Sequence, residues 1–102
     1  MLFALILGAL GGLIGAAVAT VFILYREQLI QWFQQRFLNR HKTPDDVTFS
    51  IKEKLQNGNY KVVQGVFNQN TEQVQDAQVW NAESLDTELQ HIHAQDELVV
   101  WQ

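Results

Sequence analysis

His91 and His93 are the residues of this sequence that come closest to forming a metal or acid–base site. Glu88, Asp96 and Glu97 lie near them, and imidazole and carboxylate groups are common zinc ligands. On a helix, however, side chains two positions apart point about 200° away from each other, so one ion cannot contact both histidines unless the helix ends between them. A histidine in the last turn of a short helix interacts favourably with the negative end of the helix dipole. We therefore predict a structural role for both histidines and no metal site.

Nucleophilic catalysis has equally little support. Ser84 fits the N-cap of a short helix, and Ser50 lacks the flanking glycines that form a nucleophile elbow. The chain contains no cysteine, which excludes thiolate nucleophiles and thiolate zinc sites. Gly65 stands alone within a predicted strand, which indicates a bulge or a close neighbour there. We predict that the protein is not an enzyme and binds no cofactor.

The elements that must position these residues begin with an uncharged run from Met1 to Tyr25. A helix of this length reaches roughly 37 Å, enough to cross a hydrocarbon core of about 30 Å. We therefore predict a transmembrane helix over residues 1–25 that acts as an uncleaved signal anchor. The alternative is a signal peptide cleaved after Ala19, but no basic residue precedes the run and it stays apolar beyond that point.

Small residues recur within this run at spacings of three and four. Two Gly-x-x-x-Gly patterns occur, and such patterns let two helix backbones approach closely in lipid. The stripe predicts a docking face for another membrane protein or for a second copy of the chain, and it does not distinguish between them. Its members are Gly8, Gly11, Gly12, Gly15, Ala16 and Ala19.

Residues 26–42 carry a net charge of +3, from four basic residues and one acidic residue. Apolar residues recur there every four positions, which predicts a basic amphipathic juxtamembrane helix that continues the span or lies on the lipid surface. Flanking positive charge places the N-terminus outside and the C-terminal domain in the cytoplasm. The residue types expected at the membrane interface are Tyr25, Arg26, Trp32, Arg36 and Arg40.

Residues 43–102 predict a small acidic α+β domain, with three lysines against ten carboxylates and a net charge of −7. Polyanions are repelled by such a surface, so we predict no nucleic-acid partner. Membrane lipid is the expected partner of the preceding basic segment instead.

The order of elements predicted in this domain is helix, strand, strand, helix, strand. A capping sequence at Thr43 favours a first helix that ends at Gly58, although the apolar alternation from Val47 to Ile51 indicates a strand instead. The second helix is capped by Ser84. A right-handed crossover then predicts a three-stranded sheet in the order 2-1-3. The three predicted strands are residues 60–67, 73–80 and 97–101.

These features predict a non-enzymatic single-pass membrane protein that binds other proteins, as an accessory or assembly subunit of a membrane complex. One alternative is a membrane-tethered adaptor that binds a soluble protein through a sheet edge or its acidic face. Another is a small-ligand or metal-sensing domain built on His91 and His93.

Overall fold

A five-stranded mixed sheet with three short helices forms the computed structural model of this protein, which describes residues 2–11, 17–38 and 44–101. The helices are α1 (Leu2–Gly11), α2 (Arg26–Leu38) and α3 (Thr87–Ile92), and the strands are β1 (Ala17–Leu24), β2 (Asp46–Lys54), β3 (Tyr60–Asn68), β4 (Gln73–Leu85) and β5 (Leu98–Trp101).

The strands follow the order β1-β4-β3-β2-β5, so β3 is central and β1 and β5 form the two edges. β1 runs parallel to β4, whereas the other neighbouring strands are antiparallel. The strands predicted over 60–67, 73–80 and 97–101 are present, but the predicted three-stranded order 2-1-3 is wrong. β2 lies between β3 and β5, and β1 adds a fifth strand beyond β4.

The segment that was expected to form the first domain helix is strand β2. Its apolar alternation prevails over the capping sequence because both of its edges are hydrogen bonded, to β3 on one side and β5 on the other. Asn57 and Gly58, which we expected to end a helix, form the turn between β2 and β3 instead. Gly58 has φ +89°, a conformation that glycine adopts without steric cost.

The predicted transmembrane helix over residues 1–25 is also wrong. Within the described ranges this run forms α1, which ends at Gly11, and strand β1. β1 is rich in β-branched side chains, which favour strands, and a ten-residue helix is only about 15 Å long. Among the described residues, no helix has both the length and the apolar character needed to cross a bilayer. The description of the chain as a single-pass, signal-anchored membrane protein is therefore not supported.

Apolar side chains are buried on both faces of the sheet. α2 and α3 cover one face, where Leu29 and Leu89 pack with Val62 of the central strand. α1 covers part of the other face, where Ile6 packs on Phe49 and Phe67. The alternation along the strands therefore serves two cores, which is why β2 and β3 have almost continuously buried side chains.

Gly65 lies in the central strand at a point where there is no room for a side chain. A Cβ atom there would be 2.6 Å from the backbone oxygen of Asp76 and 2.9 Å from Cζ of Phe49. The close neighbour predicted from this isolated glycine is thus confirmed, and glycine allows β3 to pack tightly between β4 and the ring of Phe49.

The end of β1 is tied to the starts of two helices by Asp86. Its carboxylate accepts a hydrogen bond from the backbone N–H of Leu89 at 2.8 Å and another from that of Arg26 at 3.2 Å. Its own N–H donates to the backbone oxygen of Leu24 at 3.0 Å. Asp86, rather than the predicted Ser84, is therefore the N-cap of α3, and it also binds the first turn of α2.

Candidate functional site

Ser50, His93 and Trp101 form a buried hydrogen-bonded cluster, here named the Ser50 cluster. Ser50 lies on β2, His93 directly follows α3, and Trp101 ends β5. The Ser50 hydroxyl is 2.7 Å from Nε2 of His93, and Nε1 of Trp101 donates to Oγ of Ser50 at 2.8 Å. Nδ1 of His93 is 3.0 Å from the backbone oxygen of Asp96. The cluster therefore joins three elements that are distant in the sequence.

In the neutral state that burial favours, the hydrogen bonds of the cluster define the tautomer of His93. A carbonyl oxygen only accepts, so Nδ1 carries the proton and donates to Asp96. Nε2 then accepts from the Ser50 hydroxyl. Burial lowers the pKa of His93, because desolvation disfavours the imidazolium ion, and the nearby charge of Lys52 lowers it further. Hydrogen bonds with the backbone of Asp96 and Glu97 act in the opposite direction without reversing the shift.

The order hydroxyl, imidazole, orienting carbonyl resembles the order of groups in an activated nucleophile. Ser50, however, is completely buried, and its oxygen already accepts a hydrogen bond from the indole of Trp101. An acyl substrate would reach Oγ only after Trp101 had moved. In this geometry the cluster fastens β5 and the end of α3 to β2.

A groove of about 620 Å³ lies beside the cluster. Its walls carry both signs of charge, and Nζ of Lys52 donates to the backbone oxygen of His93 at 3.3 Å. This lysine therefore supports the backbone at the end of α3. The charged lining residues are Lys52, Glu53, Lys54, Asp96 and Glu97.

The two histidines that we considered as metal ligands point into different surroundings. His91 is exposed on α3, whereas His93 is buried against Ser50. Across residues 2–11, 17–38 and 44–101, no three histidine, cysteine or acidic side chains are close enough to share an ion.

The second candidate site is the outer edge of β1, which carries an uncovered apolar strip. Val18 is 62% exposed and Phe22 is 67% exposed, although both belong to a strand of the sheet. They alternate with Val21, which packs against the core beneath α2 and α3, so they point to the opposite face. α1 covers that face at Phe49 and leaves these two side chains free. We name Val18, Phe22 and the outer backbone edge of β1 the β1 edge patch.

The β1 edge patch lacks the usual protection of an edge strand. β1 is eight residues long and contains no charged residue and no proline. Within the described ranges, its backbone pairs with β4 alone, so its outer edge is open. Natural edge strands are commonly shortened, charged or interrupted, because an open apolar edge invites pairing with another chain.

The described members of the predicted helix-docking face lie on two different elements. Gly8 lies on α1 with open space around it, Gly11 ends that helix, and Ala19 is half-buried in β1. The remaining members, Gly12, Gly15 and Ala16, lie outside the described residues.

The residues expected at a membrane interface have diverse positions in the fold. Tyr25 is exposed between β1 and α2, whereas Trp32 is buried beside Phe33 and Val66. Nε of Arg36 lies 2.6 Å from a carboxylate oxygen of Asp76. Arg26 forms an exposed ion pair with Glu88, and Arg40 lies outside the described residues.

Sequence reasoning missed both candidate sites. Ser50 and His93 meet only in the folded chain, and local sequence contains no signal for that contact. The β1 edge patch did have a signal, since Thr20, Val21 and Ile23 are β-branched residues, which favour a strand. The absence of charge concealed this pattern, because it is equally typical of a membrane helix.

Comparison of the chain with known protein families, curated proteins and solved structures finds no match. The Ser50 cluster and the β1 edge patch differ in what they offer to a partner. The first is closed by its own hydrogen bonds, whereas the second has apolar side chains that are exposed and a backbone edge that no other described strand pairs.

Proposed function

We propose that this protein is a non-catalytic binding domain that docks an extended polypeptide segment along β1, in the role of an accessory or assembly subunit. The observation that supports this proposal is the β1 edge patch, an uncharged eight-residue edge strand with Val18 and Phe22 about two-thirds exposed. Addition of a strand to an open sheet edge is a recurrent mode of peptide recognition.

The two parts of the patch supply different components of binding. The open backbone edge offers N–H and C=O groups that another strand satisfies, which gives affinity for any extended segment. Val18 and Phe22 project from one face and select apolar side chains at alternate positions of the incoming strand. The expected partner is thus an extended segment with two apolar residues on one face and no charge opposite β1.

The Ser50 cluster supports catalysis less well than the β1 edge patch supports binding. Its serine is buried and already hydrogen bonded to both Trp101 and His93. A binding role requires no rearrangement of β1, whereas a catalytic role requires displacement of β5. In the proposed function the binding surface is therefore the β1 edge patch, at the opposite edge of the sheet from the Ser50 cluster.

Photocrosslinking from one position on each edge tests the proposal. A photoreactive phenylalanine analogue replaces Phe22 in one full-length variant and Val100, which is 44% exposed on β5, in a matched control. We expect irradiation of cells that express these variants to link position 22, but not position 100, to a polypeptide that mass spectrometry identifies. Crosslinking from position 100 alone, or from neither position, would contradict the proposed function.

A further inference from the structure

We infer that the segment docked on β1 is β1 of a second copy of this chain, paired antiparallel in a two-fold symmetric dimer. The inference rests on the proposed function, because it names the partner of the same edge. It follows from the sequence of β1, which is complementary to itself about Thr20.

An antiparallel pairing centred on Thr20 brings the two exposed apolar side chains together. Val18 of each copy then lies opposite Phe22 of the other, on the face where both side chains are exposed. Pairs of an aromatic and a β-branched residue are among the favourable cross-strand contacts of antiparallel sheets. Thr20 lies opposite itself at the centre, where two hydroxyl side chains are compatible.

The same register also matches the opposite face of β1. Ala19 of each copy lies opposite Val21 of the other, and Ala17 lies opposite Ile23. Each small side chain therefore meets a larger one, so that neither a cavity nor a clash is built into the pairing.

Charge permits this pairing although the whole chain is acidic. The net charge of −4 disfavours contact between two copies, but none of it lies on β1. Each copy therefore approaches the other along an uncharged edge, and no charged group is buried between two paired strands.

Symmetry explains why the pairing closes as a dimer. A contact between β1 and β5 of different copies would leave one open edge at each end and propagate as a filament. β5 has only four residues, whereas β1 offers eight. Pairing of β1 with itself uses the longer edge of both copies at once and leaves only the short β5 edges at the outside of a ten-stranded sheet.

Oppositely charged substitutions at positions 18 and 22 test both the existence of the dimer and the register of its strands. Val18→Lys and Phe22→Glu each place a charge opposite an apolar residue twice per dimer, so each is expected to weaken association more than about tenfold. The double variant places each lysine opposite a glutamate of the other copy and is expected to restore association. Val18→Lys combined with Phe22→Lys, the matched control, is expected to remain monomeric.

Sedimentation velocity of the full chain at several concentrations measures these effects, with circular dichroism to establish that each variant is folded. Val100→Lys, on the other edge, is expected to dimerise like the unmodified chain. A monomeric unmodified chain would overturn the inference, and so would failure of Val18→Lys with Phe22→Glu to restore the dimer.

The photocrosslinking experiment separates this inference from the proposed function. If the unmodified chain is monomeric but position 22 crosslinks to a different polypeptide, the second copy is excluded and the binding function stands. If position 22 crosslinks to no polypeptide, the result contradicts both the dimer and the proposed binding function. Binding of the monomer to phospholipid vesicles, lost in Phe22→Glu, would overturn both and assign the patch to lipid.

Discussion

The two edges of the sheet differ in how their side chains and backbone are used. β5 is short, and its last residue is held by two side-chain hydrogen bonds, one from Trp101 to Ser50 and one from Thr48 to the backbone oxygen of Trp101 at 2.6 Å. β1 is twice as long and directs Val18 and Phe22 outward. Among the described residues both edges are open, but β1 exposes two apolar side chains, Val18 by 62% and Phe22 by 67%, along eight uncharged residues, whereas the four-residue β5 exposes Val100 by 44%.

The two edges also differ in their flanking residues. Asp96 and Glu97 precede β5, so a strand that approached this edge would meet two exposed acidic side chains. Charge beside an edge strand disfavours intermolecular pairing. β1 ends instead at Leu24 and is followed by the uncharged Tyr25 and then by the basic Arg26, which begins α2. Two adjacent acidic side chains therefore flank β5, whereas a single basic residue, already paired with Glu88, follows β1.

Gly65→Ala is expected to have the largest effect, because it disturbs the central strand on which both edges depend. The added Cβ would overlap the backbone oxygen of Asp76, so the substitution is expected to lower the free energy of unfolding by about 3 kcal/mol. Urea denaturation measures the loss. Gly8→Ala on exposed α1 is the control and is expected to stabilise the protein by up to about 1 kcal/mol. Equal effects at the two positions would contradict the assigned packing of β3.

Ser50→Ala removes one of the two side-chain hydrogen bonds that hold the end of β5, while leaving β1 unchanged. The substitution leaves the indole N–H of Trp101 and Nε2 of His93 without a partner, so a loss of about 2 to 3 kcal/mol in the free energy of unfolding is expected. Thr48→Val removes a single donor and is expected to cost about 1 kcal/mol. Hydrogen exchange should locate the increased opening at β5. Uniform loss of protection that includes β1 would show that the edges are not independent.

Asp86→Ala loosens the other edge, where β1 joins α2 and α3. It removes the acceptor of the backbone N–H groups of Leu89 and Arg26, and the expected cost is about 1 to 2 kcal/mol. Asp86→Asn retains a capping oxygen and is expected to cost less. Thermal unfolding of the two variants provides the measurement. An alanine variant as stable as the unmodified chain would refute the double capping role.

The smallest effect is expected from pH, because protonation leaves the ring of His93 in place. In the unfolded chain this imidazole has a pKa of about 6.5, whereas burial lowers its pKa in the folded protein. Between these two values the unfolded state binds more protons, so the free energy of unfolding falls as the pH decreases below about 6.5 and is constant, for this group, above it.

The charged and titratable groups that face His93 are Lys52 on β2 and the Asp96–Glu97 segment before β5. Protonation makes Nε2 a donor to Ser50, whose hydroxyl hydrogen then loses its acceptor. His93→Gln is expected to flatten the pH dependence in this window, whereas His91→Gln, at an exposed position, is expected to retain it. An unchanged slope in the first variant would assign the dependence to other groups.

Several features were determined by the sequence alone, because they depend on near neighbours. The strands at 60–67 and 97–101 and the return strand at 73–80 were correctly predicted from β-branched and aromatic residues between polar turns. The close contact at Gly65 followed from an isolated glycine in such a strand. In each case the structure favoured by the local sequence is also the structure that the surrounding fold requires.

Tertiary structure decided the remaining features, because they depend on partners far along the chain. Apolar alternation from Val47 competed with a helix cap at Thr43, and the strand prevailed only because β3 and β5 flank it. Ser50 and His93 meet through the packing of α3 against β2, which no local spacing encodes.

The uncharged run at residues 1–25 most clearly separates what the sequence determines from what tertiary structure decides. Its composition determined that these residues avoid water, but a bilayer and a protein core satisfy that requirement equally well. The parallel partner offered by β4 decided that Ala17–Leu24 is a strand, because pairing with β4 satisfies one edge of its backbone. The same pairing leaves Val18 and Phe22 on the edge strand of the sheet. There the fold exposes two apolar side chains that the sequence alone predicted to be buried in a membrane.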